Sequence, residues 1–290
     1  MGTFLNPDPS PLDYGYAQFS PSTGLIWRPS SGFSLHFRYR KGITRPGLDK
    51  LNPYLDNSDP LNLRTGNPHL HSENMHTFTL SPRPEKRLCG VLFDPEVRYT
   101  LITGAIEQVT TVSEEGVGLT TYLNLGRRSS WDIGFSASSR IKWVSLRVSP
   151  SYQQIIYTSS NDDVGINTVR NLSLALDMNI TPWRGGSISC SYKLQPGIAT
   201  AQSTKVHYYN NFRFYWQQAI VKNKFFATLS LDNPFESHRY ISNTISGAGF
   251  TYTDRREQLG RVWSLTLRAN FGRFEEKVST QSNILQDRER

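Results

Sequence analysis

Three histidines fall within one short stretch, Pro68-His69-Leu70-His71-Ser72-Glu73-Asn74-Met75-His76, and imidazoles at this density are the raw material of a transition-metal site. In an extended chain His69 and His71 share a face, because side chains two apart point the same way. No third ligand stands where it would complete the set, so the stretch reads as a polar loop. Glu114-Glu115 resembles a pair for acid–base work, yet neighbouring residues of a strand point to opposite faces, and Ser113 and Gly116 mark a turn. Asp162-Asp163 has the same reading. Cys89 and Cys190 are too few and too far apart for a disulfide framework or a metal cluster. No Gly-x-Ser-x-Gly elbow, phosphate-binding Gly-x-x-x-x-Gly-Lys loop or dinucleotide fingerprint is present. No catalytic, cofactor-binding or metal-binding constellation is therefore expected, and the chain reads as a non-enzyme.

The elements that would have to carry any site are strands. Of 290 residues, 12% are aromatic and only 19% charged, a balance that favours sheets. Polar residues interrupt every apolar run well short of the roughly 18 consecutive residues that a membrane-crossing helix needs. A transmembrane β-barrel stays open, since half of each strand may be polar. The net charge of +8 is spread along the chain with no basic helix or RNA-binding signature, so nucleic acid is not an expected partner.

The dominant pattern is alternation with a period of two. In Phe33-Ser34-Leu35-His36-Phe37-Arg38-Tyr39-Arg40 every second residue is apolar. Leu172, Leu174, Leu176, Met178 and Ile180 alternate with polar or small residues, as do Ile188, Cys190, Tyr192 and Leu194. Between these runs, Thr181-Pro182-Trp183-Arg184-Gly185-Gly186 predicts a short hairpin turn. Phe212-Phe214-Trp216, Phe225-Ala227-Leu229-Leu231 and Trp263-Leu265-Leu267-Ala269-Phe271 repeat the rule. Less regular candidates cover Gln18–Arg28, His76–Ser81, Gly90–Thr111, Gly118–Arg127, Trp131–Tyr157 and Tyr240–Thr253, giving about 12 to 14 strands in all. Polar connections such as Thr158–Asn167 and Ala199–Thr204 alternate with tight turns, as in a barrel whose long loops share one end. A soluble sandwich shows the same alternation, but these apolar faces reach the roughly 9 to 11 residues needed to cross a bilayer, and the opposite faces carry Arg, Asp and Lys suited to a wet lumen.

The segment Arg45-Pro46 … Leu51-Asn52-Pro53 … Gly66-Asn67-Pro68-His69-Leu70-His71-Ser72-Glu73 resembles a motif of TonB-dependent receptor barrels, closest to the outer-membrane β-barrel family of Bacteroidetes type. In that family an Arg-Pro after one strand leads to a Leu-Asn-Pro loop, and Gly-Asn-Pro-x-Leu-x-x-Glu introduces the next strand. His71-Ser72 departs from the usual Lys-Pro before the glutamate. On physical grounds Arg45, Pro46, Asn52, Pro53, Gly66, Asn67, Pro68, Leu70 and Glu73 are expected to build a turn, since the prolines break any continuous ladder and Gly66-Asn67 suits a sharp reversal. Leu231-Asp232-Asn233-Pro234-Phe235 looks like the turn before a penultimate strand. Trp263, Leu265, Leu267 and Phe271, within Val262–Phe274, look like the family's closing strand.

The resemblance implies an all-β, antiparallel transmembrane barrel in the outer membrane of a Gram-negative bacterium. It implies a lipid partner, an N-terminal plug, and energy drawn from an inner-membrane TonB complex to import a large scarce nutrient such as a metal chelate or organic oligomer. The alternative is a non-transporting barrel that anchors surface loops for adhesion or envelope assembly. Barrels of this transporter class have about 22 strands, so the chain is expected to be the C-terminal portion of a larger barrel, open as a fragment, with plug and upstream strands missing. Met1–Gly15 lacks an export signal, which agrees with that expectation. The expected organisation is an irregular segment over residues 1–15, barrel wall over 16–274 and a polar tail over 275–290.

Overall fold

The computed structural model describes residues 19–159, 165–197, 199–222, 224–247 and 250–271. The expected irregular start and polar tail, Asp162-Asp163 and the last three residues of Val262–Phe274 lie outside them. The strands are β1 Ser22–Ser30, β2 Phe33–Thr44, β3 Asn62–Arg64, β4 Glu73–Pro84, β5 Val91–Val112, β6 Gly118–Ile141, β7 Val144–Ser159 and β8 Ile166–Ile180. They continue as β9 Gly186–Pro196, β10 Ser203–Val206, β11 Tyr208–Val221, β12 Phe225–Asp232, β13 His238–Gly247, β14 Phe250–Leu259 and β15 Val262–Ala269. One helical turn, α1 Leu48–Leu51, interrupts the connection from β2 to β4.

Twelve strands form one sheet, an antiparallel meander of β1, β2, β4, β5, β6, β7, β8, β9, β11, β12 and β15, with β3 added parallel to β6. β10, β13 and β14 make a separate three-stranded sheet. Among the described residues β1 and β15 are paired on one side only, so the sheet is open. Eleven is an odd number of antiparallel strands, so β1 and β15 run the same way. Direct closure of one on the other would make a parallel seam.

Alternation sorts the two faces of the wall. Phe37, Leu80, Val97, Ile133, Tyr152 and Leu172 stand in one register row, and Leu146, Met178, Cys190, Phe214, Leu231 and Trp263 in another. Tyr39, Phe78, Tyr99 and Trp131 form a chain of rings across four strands, with successive centroids 5.0, 6.3 and 4.8 Å apart. The opposite face carries the row Arg38, Thr79, Arg98, Asp132, Gln153 and Asn171, joined in part by Gln153 Nε2 donating to Asp132 at 2.6 Å and Asn171 Nδ2 donating to Gln153 at 3.3 Å.

The connections differ at the two ends. Short turns follow β1, β4, β6, β8 and β11; Cys89 (φ 50°) and Gly90 (φ 81°) turn the chain from β4 to β5. Paired positive φ values suit the two-residue turn that matches strand twist. Gly185 (φ 79°) lies in the expected turn between β8 and β9. The long connections after β2, β9 and β12 all lie at the other end.

Two sequence expectations need correction. β6 is continuous from Gly118 to Ile141, so Gly118–Arg127 and the start of Trp131–Tyr157 are one strand, and the reversal falls at Lys142-Trp143. Gly126 lies at a break in the β5–β6 register, and the strand runs on through it. The run Leu231–Phe235 leads out of the wall, and Tyr240–Thr253 belongs to the β13–β14 hairpin, not to the barrel wall. The wall neighbour of β12 is β15, because Leu229 and Leu231 pair with Leu265 and Trp263. Alternation also occurs in a hairpin above the wall, so period alone could not separate the two.

Prolines inside strands mark where pairing lapses. Pairing of β4 with β5 runs from Asn74–Thr103 to Leu80–Val97, and Pro82, Pro84 and Pro95 lie beyond it. A proline has no N–H to give to a ladder. Side chains span this stretch instead, with Arg83 on Asp94 at 3.2 Å and Ser81 Oγ donating to Glu96 at 3.4 Å.

Candidate functional site

At the long-loop end β5 and β6 continue past their neighbours as a two-stranded arch, capped by Ser113-Glu114-Glu115-Gly116 with Gly116 at φ 81°. The Glu114-Glu115 pair thus sits in a turn. The hydrogen bond from Ser113 holds the Glu115 carboxyl below its ordinary range. The arch needs partners for edges that β4 and β7 no longer cover. Two loops supply them.

The connection from β2 to β4 reaches the β6 edge. β3 pairs Asn62, Leu63 and Arg64 with Gly118, Leu119 and Thr120, and Thr65 N donates to Thr120 O at 3.0 Å. Asn67 Nδ2 donates to Tyr122 O at 3.0 Å, and its Oδ1 accepts from His69 N at 3.0 Å. Gly66 N donates to Asn52 O at 2.9 Å. A Cβ on Gly66 would lie 2.4 Å from Asn52 O and 2.6 Å from Lys50 O, so this crossing admits only glycine without moving backbone. Pro53 O accepts from Thr65 Oγ1 at 3.1 Å, and Leu70 is buried, its N donating to Asn67 O at 3.4 Å. Arg45 and Pro46 begin the loop where β2 ends. His71 engages Asn124 through its backbone alone, donating at 2.9 Å and accepting at 3.1 Å. The third histidine of the stretch, His76, lies in β4, where its Nδ1 meets the Tyr39 hydroxyl at 3.0 Å. Among the described residues no group of three or more His, Cys, Asp or Glu is placed to hold a metal ion.

Glu73, the last motif residue, is buried, and its Oε1 accepts from Ile106 N at 2.7 Å. Arg128 Nη1 lies 2.8 Å from Glu107 and its Nη2 4.0 Å from Glu73. In this clasp Glu107 lies past Thr103, where β4 and β5 begin to pair, in the part of β5 that forms the arch, and Arg128 reaches it from opposite Ile102. Burial raises the Glu107 carboxyl above its ordinary range; the Arg128 charge opposes the rise and Glu73 adds to it. The connection from β9 to β11 takes the β5 edge. Gln202 donates to Thr110 O at 3.0 Å and accepts from Thr110 N at 2.8 Å, so one side-chain amide replaces a missing strand. Beneath it Val109, Leu125, Tyr157, Val169 and Ala201 form the buried apolar cluster.

Above the other face of the arch is a cavity of about 610 Å³. Gln108, Thr110, Thr120 and Tyr122 form its floor, Asp49 to Gly66 one wall, and Ile241 to Gln258 of the β13–β14 hairpin the other. Asn52 and Gly66 are the motif residues that border it. The hairpin side was not legible in the sequence, because Tyr240–Thr253 was expected in the wall and Asp254 to Gln258 are polar on both faces and carry no period-two signal. A second hollow of about 620 Å³ lies along β6 to β9, near the short turns, with Arg147, Asp177 and Ser191 in its lining.

The expected closing-strand residues Trp263, Leu265 and Leu267 lie on β15, exposed along a free edge, and Phe271 packs edge-on to Phe225 with centroids 6.3 Å apart.

A sheet of this kind superposes on part of larger solved structures. The siderophore receptor PirA from Pseudomonas aeruginosa superposes with a TM-score of 0.57 at 12% identity, over 86% of this chain and 41% of that one. A mutant of the ferric enterobactin receptor PfeA from the same organism gives 0.58 at 14% identity, over 87% and 40%. The FrpB iron transporter from Neisseria meningitidis gives 0.56 at 11% identity, over 86% and 37%. The chain therefore spans about two fifths of the length of these structures, and identities this low establish the fold alone. No curated protein matches the chain. The wall, with apolar residues on one face, polar ladders on the other and long loops gathered at one end, is that of an outer-membrane barrel. The model of the outer membrane protein β-barrel family matches residues 6–268, and the chain belongs to that family.

Proposed function

We propose that the protein works as the C-terminal barrel wall of a TonB-dependent receptor-like transporter, which binds a large scarce nutrient at its long-loop end and admits it through the lumen. The observation that carries this reading is the gathering of every long connection at one end around a polar cavity of about 610 Å³. Barrels of this class place long loops outside and short turns in the periplasm. Pockets that take ligands usually have volumes of roughly 300 to 1,000 Å³. The receptor-like neighbours support binding and transport over catalysis, and the resemblance at Gly66-Asn67-Pro68 supports the Bacteroidetes-type reading.

On this reading residues 16–274 are the barrel portion, with the hairpin of β13 and β14 standing off its wall, and residues 1–15 and 275–290 are flanking segments. A plug and the upstream strands complete the barrel, and the inner-membrane TonB complex powers it. The motif from Arg45 to Glu73 acts as a structural strap that shapes one cavity wall. Deleting the gene is expected to abolish energy-dependent uptake of one nutrient, and collapsing the proton-motive force is expected to do the same in wild type. Unchanged uptake of every candidate in the deletion strain, with loss of surface adhesion, would replace this reading with that of a loop-bearing anchor.

A further inference from the structure

We infer that the cavity at the long-loop end takes a neutral, polyhydroxylated ligand, an oligosaccharide segment, and not an anionic metal chelate. The inference rests on the uptake reading and narrows its substrate class.

Charge decides between the two classes. The protein as a whole is basic, at +8, but the cavity is not. Its lining holds three carboxylates, Asp49, Asp56 and Asp254, and two guanidiniums, Arg64 and Arg256, so the formal sum is 2 − 3 = −1. Both cations already have acidic neighbours, as does Lys50, which stands beside the cavity with its ammonium 5.5 Å from the Tyr122 ring centroid and acts electrostatically on Glu107. Arg256 Nε donates to Asp254 Oδ2 at 2.8 Å, and Arg64 acts electrostatically on Asp56 and Asp59. Hydrogen bonds from Ser58 hold the Asp56 carboxyl below its ordinary range, so it stays charged. An anion entering here finds no surplus positive charge, because each cation in or beside the cavity is already balanced by a carboxylate. A sugar needs no such surplus.

The remaining groups suit hydroxyls. Gln108 and Gln258 each offer a donor and an acceptor side by side, Asn52 keeps its amide N–H groups while its Oδ1 accepts from Tyr54 N, Asn62 keeps its Oδ1 while its Nδ2 donates to Asp59, and carboxylates accept from adjacent hydroxyls. Tyr54 and Tyr252 bring aromatic rings to the rim, with Tyr54 73% exposed and Tyr252 38%. An aromatic face with a polar tip suits the apolar C–H face of a sugar ring bordered by hydroxyls. Apart from Gln108 on the β5 floor, these groups come from two separate connections, so a ligand bridging them would be held from both sides.

The test uses the protein purified from outer membranes in detergent, applied to an array of immobilised neutral glycans. The glycan bound best and a ferric tris-catecholate are then compared by calorimetry. A neutral glycan is expected to bind and the chelate is not. The double variant Asp49→Asn/Asp254→Asn should weaken the glycan by about tenfold or more, the scale of a lost hydrogen bond to a charged group. The same variant would strengthen any anion. Tyr252→Ala, which leaves the charge unchanged, should also weaken the glycan. Failure of every glycan to bind, or chelate binding that the double variant strengthens, overturns the inference. Energy-dependent uptake of the chelate alongside either result would leave the uptake reading standing; absence of all energy-dependent uptake would remove both.

Discussion

The barrel wall and the arch above it are built from the same alternating code and bury opposite things. In the wall, large apolar side chains such as Leu265 and Leu267 are left on the surface, and polar groups line the other face. In the arch, Val109 and Leu125 are enclosed, together with the carboxylates of Glu73 and Glu107. The difference lies in the solvent. Hydrocarbon accepts an exposed leucine, whereas a structure standing in water must cover it. The arch therefore resembles a small soluble core, held by polar clasps that the wall does not need. Comparing the two regions yields tests in which one substitution type has opposite consequences by location.

The largest effect is expected at the clasp. Arg128→Leu leaves two buried carboxylates facing each other without their cation, and breaking such a pair costs about 3–5 kcal/mol. The arch should then become susceptible to protease in intact membranes while the wall keeps its resistance to heat and detergent. A wall that fails together with the arch would show that the two regions are one cooperative unit. The pH dependence of the clasp has a definite sign. Glu107 holds its proton more tightly folded than unfolded, because burial raises its pKa. Its contribution to stability is fully present below the ordinary glutamate range and is lost as pH rises through the raised folded value. Protease resistance of the arch should therefore increase on mild acidification, and Glu107→Gln should flatten that profile.

In the wall the expected cost comes from the reverse change. Leu267→Arg places a charge on the apolar face, costing about 2–4 kcal/mol near the bilayer midplane, while Arg268→Leu on the opposite face costs much less. Unfolding free energies of the complete barrel in lipid check this, and equal costs would contradict the facing of β15. Smaller again is Gln202→Ala, which leaves the N–H and C=O of Thr110 without their partner and should cost about 1–3 kcal/mol. Faster hydrogen exchange at the Thr110 amide is the local readout; unchanged exchange would mean that water replaces the glutamine. The smallest effect is expected for His71→Ala. Only the backbone of His71 is engaged by Asn124, so the change should stay within about 0.5 kcal/mol, whereas Asn124→Ala removes three bonds and should cost more.

Much of the wall was legible in the sequence. Period-two runs from Phe33 to Arg40 and from Leu172 to Ile180 identified strands and their apolar faces, because a pleated backbone sends successive side chains to opposite sides. The Pro and Gly residues at Thr181–Gly186 identified a turn through their restricted or permissive φ values. Cys89-Gly90 did not announce its turn, since cysteine seldom adopts a positive φ and the reversal is set by the pairing of Leu88 with Val91.

The motif from Arg45 to Glu73 was recognisable, but its destination was not. Asn67 bonds to Tyr122, 55 positions away, and Glu73 to Ile106, 33 positions away, and no local pattern encodes such partners. The sequence by itself determined that this chain makes antiparallel strands with one apolar and one polar face, because that depends only on alternation along each strand. The tertiary structure decided which alternating runs join the wall, that Tyr240–Thr253 belongs instead to a hairpin beside the cavity, and that Glu73, Arg128 and Glu107 meet. Those outcomes depend on backbone groups left unpaired where the arch outruns its neighbours. The requirement to satisfy them arises only once the sheet has formed.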